Sequence, residues 1–364
     1  MTTGKELDNL RQSIDAIDDQ LLALLNQRAE LAIQVGKYKS GNPSEFYVPS
    51  REKQIYTRLL RENPGPVPDE AVRAIFREVI SACLNLEQPL TIAYLGPEAT
   101  FTHIASMEHF GQSARYQPSP SIRDVFSEVE RGRVHYGVAP IENSTEGVVN
   151  YTLDCLVDSD LSICAEIELG ITHHLMSLSG KIESIRRVYS HPHAIAQCRQ
   201  WLDLNLPEVE LVDITSTARA AEIVSHDETS AAICSELAGK LYSLVPVVRK
   251  IEDKTNNFTR FIVVGNTRTK KSGNDKTSVV FSLSHAVGSL YHALEVISRF
   301  DINMTKIESR PSKMKAWEYL FHIDIEGHCD DENVSQALDL LGQRSLFLKV
   351  LGSYPKSIPS RKGE

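Results

Sequence analysis

The chain has 364 residues, 41% hydrophobic and 24% charged, with a formal net charge of −9. That length implies two or three domains, no apolar run approaches the roughly 18 residues of a membrane helix, and the net acidity leaves no nucleic-acid surface outside a concentrated basic patch. The one short basic run, TRTKK at 267–271, reads as a linker. The opening MTTGKELDNL is polar and helical in pattern, unlike a signal or transit peptide, so a cytoplasmic location is expected. Six cysteines at 83, 155, 164, 198, 234 and 329 form no CxxC pair, and His173-His174 has no thiols beside it. Neither a metal nor a cofactor is expected.

Residues 5 to about 40 carry Leu7, Leu10, Ile14, Ile17, Leu21 and Leu24 in a 3,4 alternation, the seam of one long helix broken at Gly41-Asn42-Pro43. A second helix follows Pro49, and a third starts near Pro68, where Asp69 and Glu70 suit a first turn. This all-helical segment spans 1–90. From 91 to 268 the short apolar runs TIAYL, VHYGVAPI, RVYS, AAIC and RFIVV alternate with helical stretches, the α/β signature. Several runs end in the small polar loops where a parallel α/β sheet binds ligands, among them GPEATFT, ENSTEG, SHPHA and TSTA. Residues 276–356 read strand (TSVVFSL), helix, strand (INMTKIES), strand (WEYLFHIDI), helix, strand (LFLKVLGS), a ferredoxin-like α+β unit.

The helical seam is interrupted by Arg28. At ~100° and ~1.5 Å per residue, Arg28 and Lys39 differ by about 20° in facing and lie roughly 16 Å apart, so both can point into one pocket. Arg11 is about 25 Å from Arg28 and about 100° round the helix, so it can serve the same small ligand only from a second chain. An alternative reading makes Arg28 half of a buried ion pair, or a polar specificity device in a coiled coil.

VGKYKS around Lys39, SREKQ around Arg51-Glu52, and the stripe Ile75, Phe76, Val79, Ile80, Cys83 ending at Glu87 resemble the all-helical chorismate mutases over the whole segment. The resemblance implies that Arg11, Arg28 and Arg51 clamp the two carboxylates of chorismate and that Lys39 donates to the ether oxygen. A pericyclic rearrangement needs no nucleophile or metal, only a reactive conformer and stabilisation of charge developing on that oxygen. Val48 stands where the family often has Asp, which leaves the substrate hydroxyl to Glu52 and a backbone group. Cys83 and Glu87 replace a Ser and a Gln, still on one helix face. Glu87 can donate to the ether oxygen only when protonated, so mutase activity is expected to fall as Glu87 ionises.

The motifs YLGPEATFT (94–102), GVAPIENSTEG (137–147), SHPHAIAQC (190–198) and NNFTRF (256–261), in this order, resemble prephenate dehydratase across some 170 residues. What this implies is a two-lobed, periplasmic-binding-protein-like α/β domain in which prephenate loses its ring hydroxyl and carboxylate to give phenylpyruvate, water and carbon dioxide. Thr259 is then the essential group at the leaving hydroxyl, as proton donor or as the orienter of one, with Thr100, Asn143, Ser144 and Arg260 completing the site. Ala99 stands where the family commonly has Gly, so an ordinary φ or a slightly shifted loop is expected there. In ITHHLMSL one of His173 and His174 is expected to be buried and hydrogen-bonded, and neither is placed in the site.

In the last segment, Gly288-Ser289-Leu290 at a helix start and Glu308-Ser309-Arg310-Pro311 at a strand end resemble the two phenylalanine-binding motifs of the ACT domain of this enzyme family. The resemblance implies L-phenylalanine bound between paired ACT domains and feedback inhibition. The chain is thus expected to be a bifunctional chorismate mutase/prephenate dehydratase, acting without cofactor as a homodimer or higher homo-oligomer. Two alternatives are a non-enzymatic amino-acid sensor and a dehydratase attached to a decayed mutase.

Overall fold

The computed structural model describes residues 2–39, 47–311 and 319–357. The Gly41-Asn42-Pro43 break and the first two residues of the WEYLFHIDI strand lie outside them. Two compact units emerge. One contains α1 (Thr2–Lys39), the second half of α2 (Pro49–Glu62), α3 (Asp69–Glu87) and residues 110–115; the other contains the first half of α2 and the remainder of the chain. Among the described residues no helix is long and apolar enough to cross a membrane.

In the helical unit α1 is unbroken for 38 residues, about 57 Å at 1.5 Å per residue. Its C-terminal part packs on α3, where Gly36 is buried against Glu87: a Cβ there would come within 3.2 Å of the Glu87 Cα. Ile80 and Cys83 of α3 are buried, whereas Ile75 is 56% exposed. The seam of α1 is exposed from Leu7 (49%) and Leu10 (63%) to Leu21 (51%) and Leu24 (59%).

The second unit opens with β1 (Thr91–Leu95), α4 (Phe101–Phe110), β2 (Arg115–Ser119), α5 (Ile122–Glu130), β3 (Tyr136–Asn143), β4 (Gly147–Val148), α6 (Asn150–Asp158) and β5 (Ser162–Gly170). The chain then builds a second lobe from β6 (His174–Ser177), β7 (Arg187–Ser190), α7 (Pro192–Gln197), α8 (Arg199–Asn205), β8 (Glu210–Asp213), α9 (Thr217–Val224), β9 (Ser230–Cys234), α10 (Glu236–Leu241) and β10 (Val245–Val248), and returns to the first as β11 (Phe258–Gly265). The first sheet has the order β2-β1-β3-β11-β5 and the second β10-β6-β9-β7-β8. The expected parallel sheet is in fact mixed. β1 and β3 are parallel, but β11 enters from the other lobe and runs antiparallel to both β3 and β5. That reversal places the start of β11 beside the end of β3, with Thr259 opposite Asn143.

The C-terminal part is β12 (Asp275–Ser282), α11 (Ser289–Arg299), β13 (Met304–Pro311), β14 (Tyr319–Glu326), α12 (Glu332–Arg344) and β15 (Phe347–Pro355), in an antiparallel sheet of order β13-β14-β12-β15. This is the ferredoxin-like βαββαβ topology. Val279 and Phe281 of β12 face α11 and α12, while Val280 joins Leu351 and Tyr354 in the hydrophobic core of the first lobe with Ile163, Ile262 and Val264. Gly352 permits the close approach of β15 to β5, since a Cβ there would run into the backbone of Ile163.

Candidate active sites

In the helical unit Lys39 and Glu87 form an ion pair at 3.2 Å, their side chains 21% and 9% exposed. Half-buried Arg28 donates to the Val79 carbonyl at 3.4 Å. Arg28 and Lys39 therefore both engage α3, the helix that carries buried Cys83. Arg11 is not brought to them: its partner is Asp8, one turn away at 3.5 Å, and its side chain is 66% exposed. Val48 is the N-cap residue of α2 and offers no side-chain cap. In the other unit, Arg51 reaches Gln54 at 3.5 Å, and burial pushes the half-buried Glu52 carboxyl up to about 8.

Between the two lobes of the second unit lies a cavity of about 420 Å³. The first lobe contributes Thr100, Phe101 and Thr102 at the start of α4, Pro140 and Asn143 of β3, the Glu146–Val149 turn, and Thr259 and Phe261 of β11; the second contributes His191, His193, Ala194 and Gln197, and Thr215–Thr217 at the start of α9. Ile171 and His173, on the crossing between lobes, also line it. The first residues of α4 and α9 line the cavity, and the positive dipole end of a helix suits anionic groups.

A chain of amides crosses the cavity wall, and its polarity is fixed. The Asn143 Oδ1 accepts from the backbone N–H of Thr145 (2.9 Å) and Glu146 (3.0 Å), and from the Thr145 hydroxyl at 2.6 Å. A backbone N–H can only donate, so this atom is the carbonyl oxygen and the other is the NH₂. That NH₂ donates to Thr259 Oγ1 at 2.8 Å and to Asn257 Oδ1 at 2.9 Å. The Asn257 NH₂ then donates to Gln197 Oε1 at 2.8 Å, which makes His173 Nε2, 2.9 Å from that oxygen, a donor as well. Thr259 Oγ1 is thus an acceptor toward Asn143, and no described residue accepts its proton. The hydroxyl can donate into the cavity. Burial holds the His173 ring below its ordinary titration range.

Thr100, Asn143 and Thr259 therefore share one cavity, whereas two other expected members do not. Ser144 accepts from the Phe258 N–H (3.0 Å) and donates to the Asn256 carbonyl (3.2 Å), tying the β3 turn to the segment entering β11. Arg260 follows Thr259 in a strand, where successive side chains face opposite sides. It points away from the cavity into a cluster with Glu166 (2.9 Å), Asp324 (2.6 Å) and the Tyr354 hydroxyl (2.9 Å). Ala99 also departs from expectation: its φ is +61°, and the residue is fully buried. The left-handed backbone is held by its N–H donating to His103 Nδ1 (3.1 Å) and its carbonyl accepting from Ser235 Oγ (3.2 Å). Sequence reasoning missed His173 and Gln197, which line the cavity, and Asn257, which links Asn143 to Gln197. Gln197 and Asn257 lie inside the SHPHAIAQC and NNFTRF motifs, and His173, 2% exposed, is the buried, hydrogen-bonded histidine anticipated for ITHHLMSL.

In the C-terminal fold Gly288 is the N-cap of α11 with φ +79°, Ser289 opens that helix, and Leu290 packs on the local core. Glu308, Ser309, Arg310 and Pro311 end the edge strand β13. Among the described residues no hydrogen bond joins the two motifs within one chain. Arg310 is engaged elsewhere, by Asp154 of α6 at 2.7 Å and the Asn150 carbonyl.

Family models place two enzyme classes on this chain: chorismate mutase type II matches residues 10–88 and prephenate dehydratase matches residues 92–269. A bifunctional chorismate mutase/prephenate dehydratase of Aquifex aeolicus is 51% identical over 358 residues, covering 97% of this chain and 99% of the relative. Among solved structures, prephenate dehydratase from Arthrobacter aurescens in complex with L-Phe superposes with a TM-score of 0.69 at 34% identity, covering 73% of this chain and 90% of that one. GqqA, described as a novel type of quorum quenching acylase, does so with a TM-score of 0.68 at 28% identity, covering 75% and 100%. A shared scaffold thus carries more than one described activity, and chemistry has to be argued from the site.

The chain belongs to the bifunctional chorismate mutase/prephenate dehydratase family. It converts chorismate to prephenate and prephenate to phenylpyruvate, as an isomerase joined to a carbon–oxygen lyase. The sensor-only alternative is thereby excluded.

Proposed function

We propose that Thr259 is the hydrogen-bond donor to the departing ring hydroxyl of prephenate, with Asn143 fixing its orientation. The observation that carries this is the polarity of the Asn143–Thr259 bond, which turns the threonine proton toward the cavity. As the ring C–O bond breaks, its electron pair leaves on oxygen, which takes up one proton to become water. The bond from ring to carboxylate breaks with it, releasing carbon dioxide, and that pair completes the aromatic ring. The two carboxylates of the substrate rest at the N-termini of α4 and α9, with Thr100, Ser216 and Thr217 at hand.

In the mutase, Arg28 and an Arg11 from a second chain hold the carboxylates of chorismate. Lys39 donates to the ether oxygen and Glu87 and Cys83 face it from α3, while Arg51, Glu52 and the backbone at Val48 keep the roles that the family resemblance gives them. The exposed seam of α1 supports a homodimer, because a contiguous apolar stripe of that length marks an interface. The domains are assigned to 1–90, 91–268 and 276–356. The last is an ACT domain that binds L-phenylalanine between paired copies at Gly288–Leu290 and Glu308–Pro311, and the Arthrobacter aurescens complex with L-Phe supports that ligand. Inhibition follows if phenylalanine favours a less active arrangement through differential affinity.

The test is to supply chorismate to the purified chain and follow phenylpyruvate with and without phenylalanine. The wild type forms phenylpyruvate, and phenylalanine suppresses it; Thr259→Ala stops at prephenate. Phenylpyruvate formation by Thr259→Ala at the wild-type rate would remove Thr259 from the mechanism.

A further inference from the structure

The residues next in sequence to the cavity pair form a second pair on the opposite side of the same ladder. Thr259 is the register partner of Asn143, and Arg260 is the partner of Glu142. Facing them are Lys306 and Asp324, themselves register partners on β13 and β14 of the C-terminal sheet. Charges alternate across the junction: Lys306 Nζ lies 2.7 Å from Glu142, Arg260 lies 2.6 Å from Asp324, and Arg260 reaches Glu142 at 3.8 Å. Ser278 of β12 donates to Asp324 at 2.5 Å and lies 2.6 Å from the Tyr354 hydroxyl, which meets Arg260. The side chains of Arg260 and Asp324 are 11% and 9% exposed. Groups so buried and so multiply bonded have one geometry available to them.

We propose that Arg260 and Glu142 are positioning residues of the dehydratase, through which Lys306 and Asp324 of the C-terminal sheet hold Asn143 and Thr259 in their donating arrangement. The inference rests on the reading of Thr259 given above. A strand residue cannot turn without turning its neighbour, so a shift of β13 or β14 reaches the cavity wall through one peptide bond. β13 also carries Glu308–Pro311, so an event at that motif acts on the same strand that anchors Glu142. The C-terminal domain is in this sense part of the dehydratase site as well as its regulator.

The experiment uses the full chain with Lys306→Met and Asp324→Asn, measuring kcat and KM for prephenate and, in the same preparation, mutase activity. Displacement of a catalytic group by ~1 Å costs on the order of 100-fold, so kcat is expected to fall roughly 10- to 100-fold, with KM and mutase activity unchanged and with recovery in Lys306→Arg. Unchanged kcat in both variants overturns the proposal, as does a fall in kcat that Lys306→Arg does not recover. Should the buried Asp324→Asn chain fail to fold, Lys306→Met decides, because methionine keeps the apolar stem of the lysine and the partner it leaves, Glu142, is 35% exposed. Thr259→Ala run alongside separates the two claims. If it stays active, the reading of the site fails; if it is dead while Lys306→Met is normal, only the coupling fails.

Discussion

The dehydratase lobes and the helical unit bring functional groups together by opposite means. Asn143 and Thr259 stand 116 positions apart in sequence, yet they are register partners 2.8 Å apart, each oriented by groups of the same chain. Arg11 and Arg28 are far closer in sequence, but the unbroken helix they share keeps them about 25 Å apart. A sheet joins distant stretches of sequence, whereas a helix holds nearby ones at a fixed separation. Motifs at strand ends can therefore complete a site within one chain, while cations strung along a rod call for another copy.

That contrast can be broken most sharply at Arg11. Arg11→Ala and Arg28→Ala should each abolish mutase activity, and mixed dimers should recover one intact site. Random exchange in a twofold dimer makes half the dimers mixed, so activity should return to about a quarter of wild type; no recovery on mixing would place both arginines in the same chain's site. On the dehydratase side, Asn143→Asp keeps the shape and replaces the donor with an acceptor that draws the Thr259 proton to itself. Dehydratase kcat should fall about 10²- to 10³-fold, as on losing a preorganised donor, with the mutase unaffected. A normal kcat would refute the assigned polarity.

A smaller effect concerns Glu52, whose carboxyl is pushed by burial from 4.5 up to about 8. Between those values the folded chain holds a proton that the unfolded chain has released, so stability falls as pH rises from about 4.5 through about 8. Thermal melts should show this fall, and Glu52→Gln should flatten it. The smallest effect is at Ala99. A left-handed residue costs about 1–2 kcal/mol, offset by the greater chain entropy of glycine and by the loss of a buried methyl worth about 0.8 kcal/mol, so Ala99→Gly should change stability by less than about 1 kcal/mol in denaturant unfolding.

Much of this architecture is written in periodicity. The 3,4 alternation gives α1 and the apolar runs give β1, β3, β7, β9 and β11. β5 escapes notice because Glu166 and Glu168 interrupt SICAEIELG, and Glu166 is buried beside Lys276 and Arg260 only because another sheet covers that face. The antiparallel sense of β11 is equally invisible locally, being set by the chain's excursion through the second lobe. At the site, the motifs lead to the loops that bring Thr100, Asn143 and Thr259 to one cavity, but reading them as contiguous blocks enlists Ser144 and Arg260. Strand alternation sends Arg260 to the far side, and the turn employs Ser144 for its own closure.

The contact between Gly352 and the backbone of Ile163, within a core that draws side chains from both sheets, bears on how such a protein can change over generations. Truncation before β12 would uncover Ile163, Ile262 and Val264 and strip Arg260 of Asp324 and the Tyr354 hydroxyl. Although the order of segments looks like a set of interchangeable modules, the last one cannot be discarded cleanly. A lineage freed from end-product control would reach that state by point substitution, keeping the C-terminal fold in place.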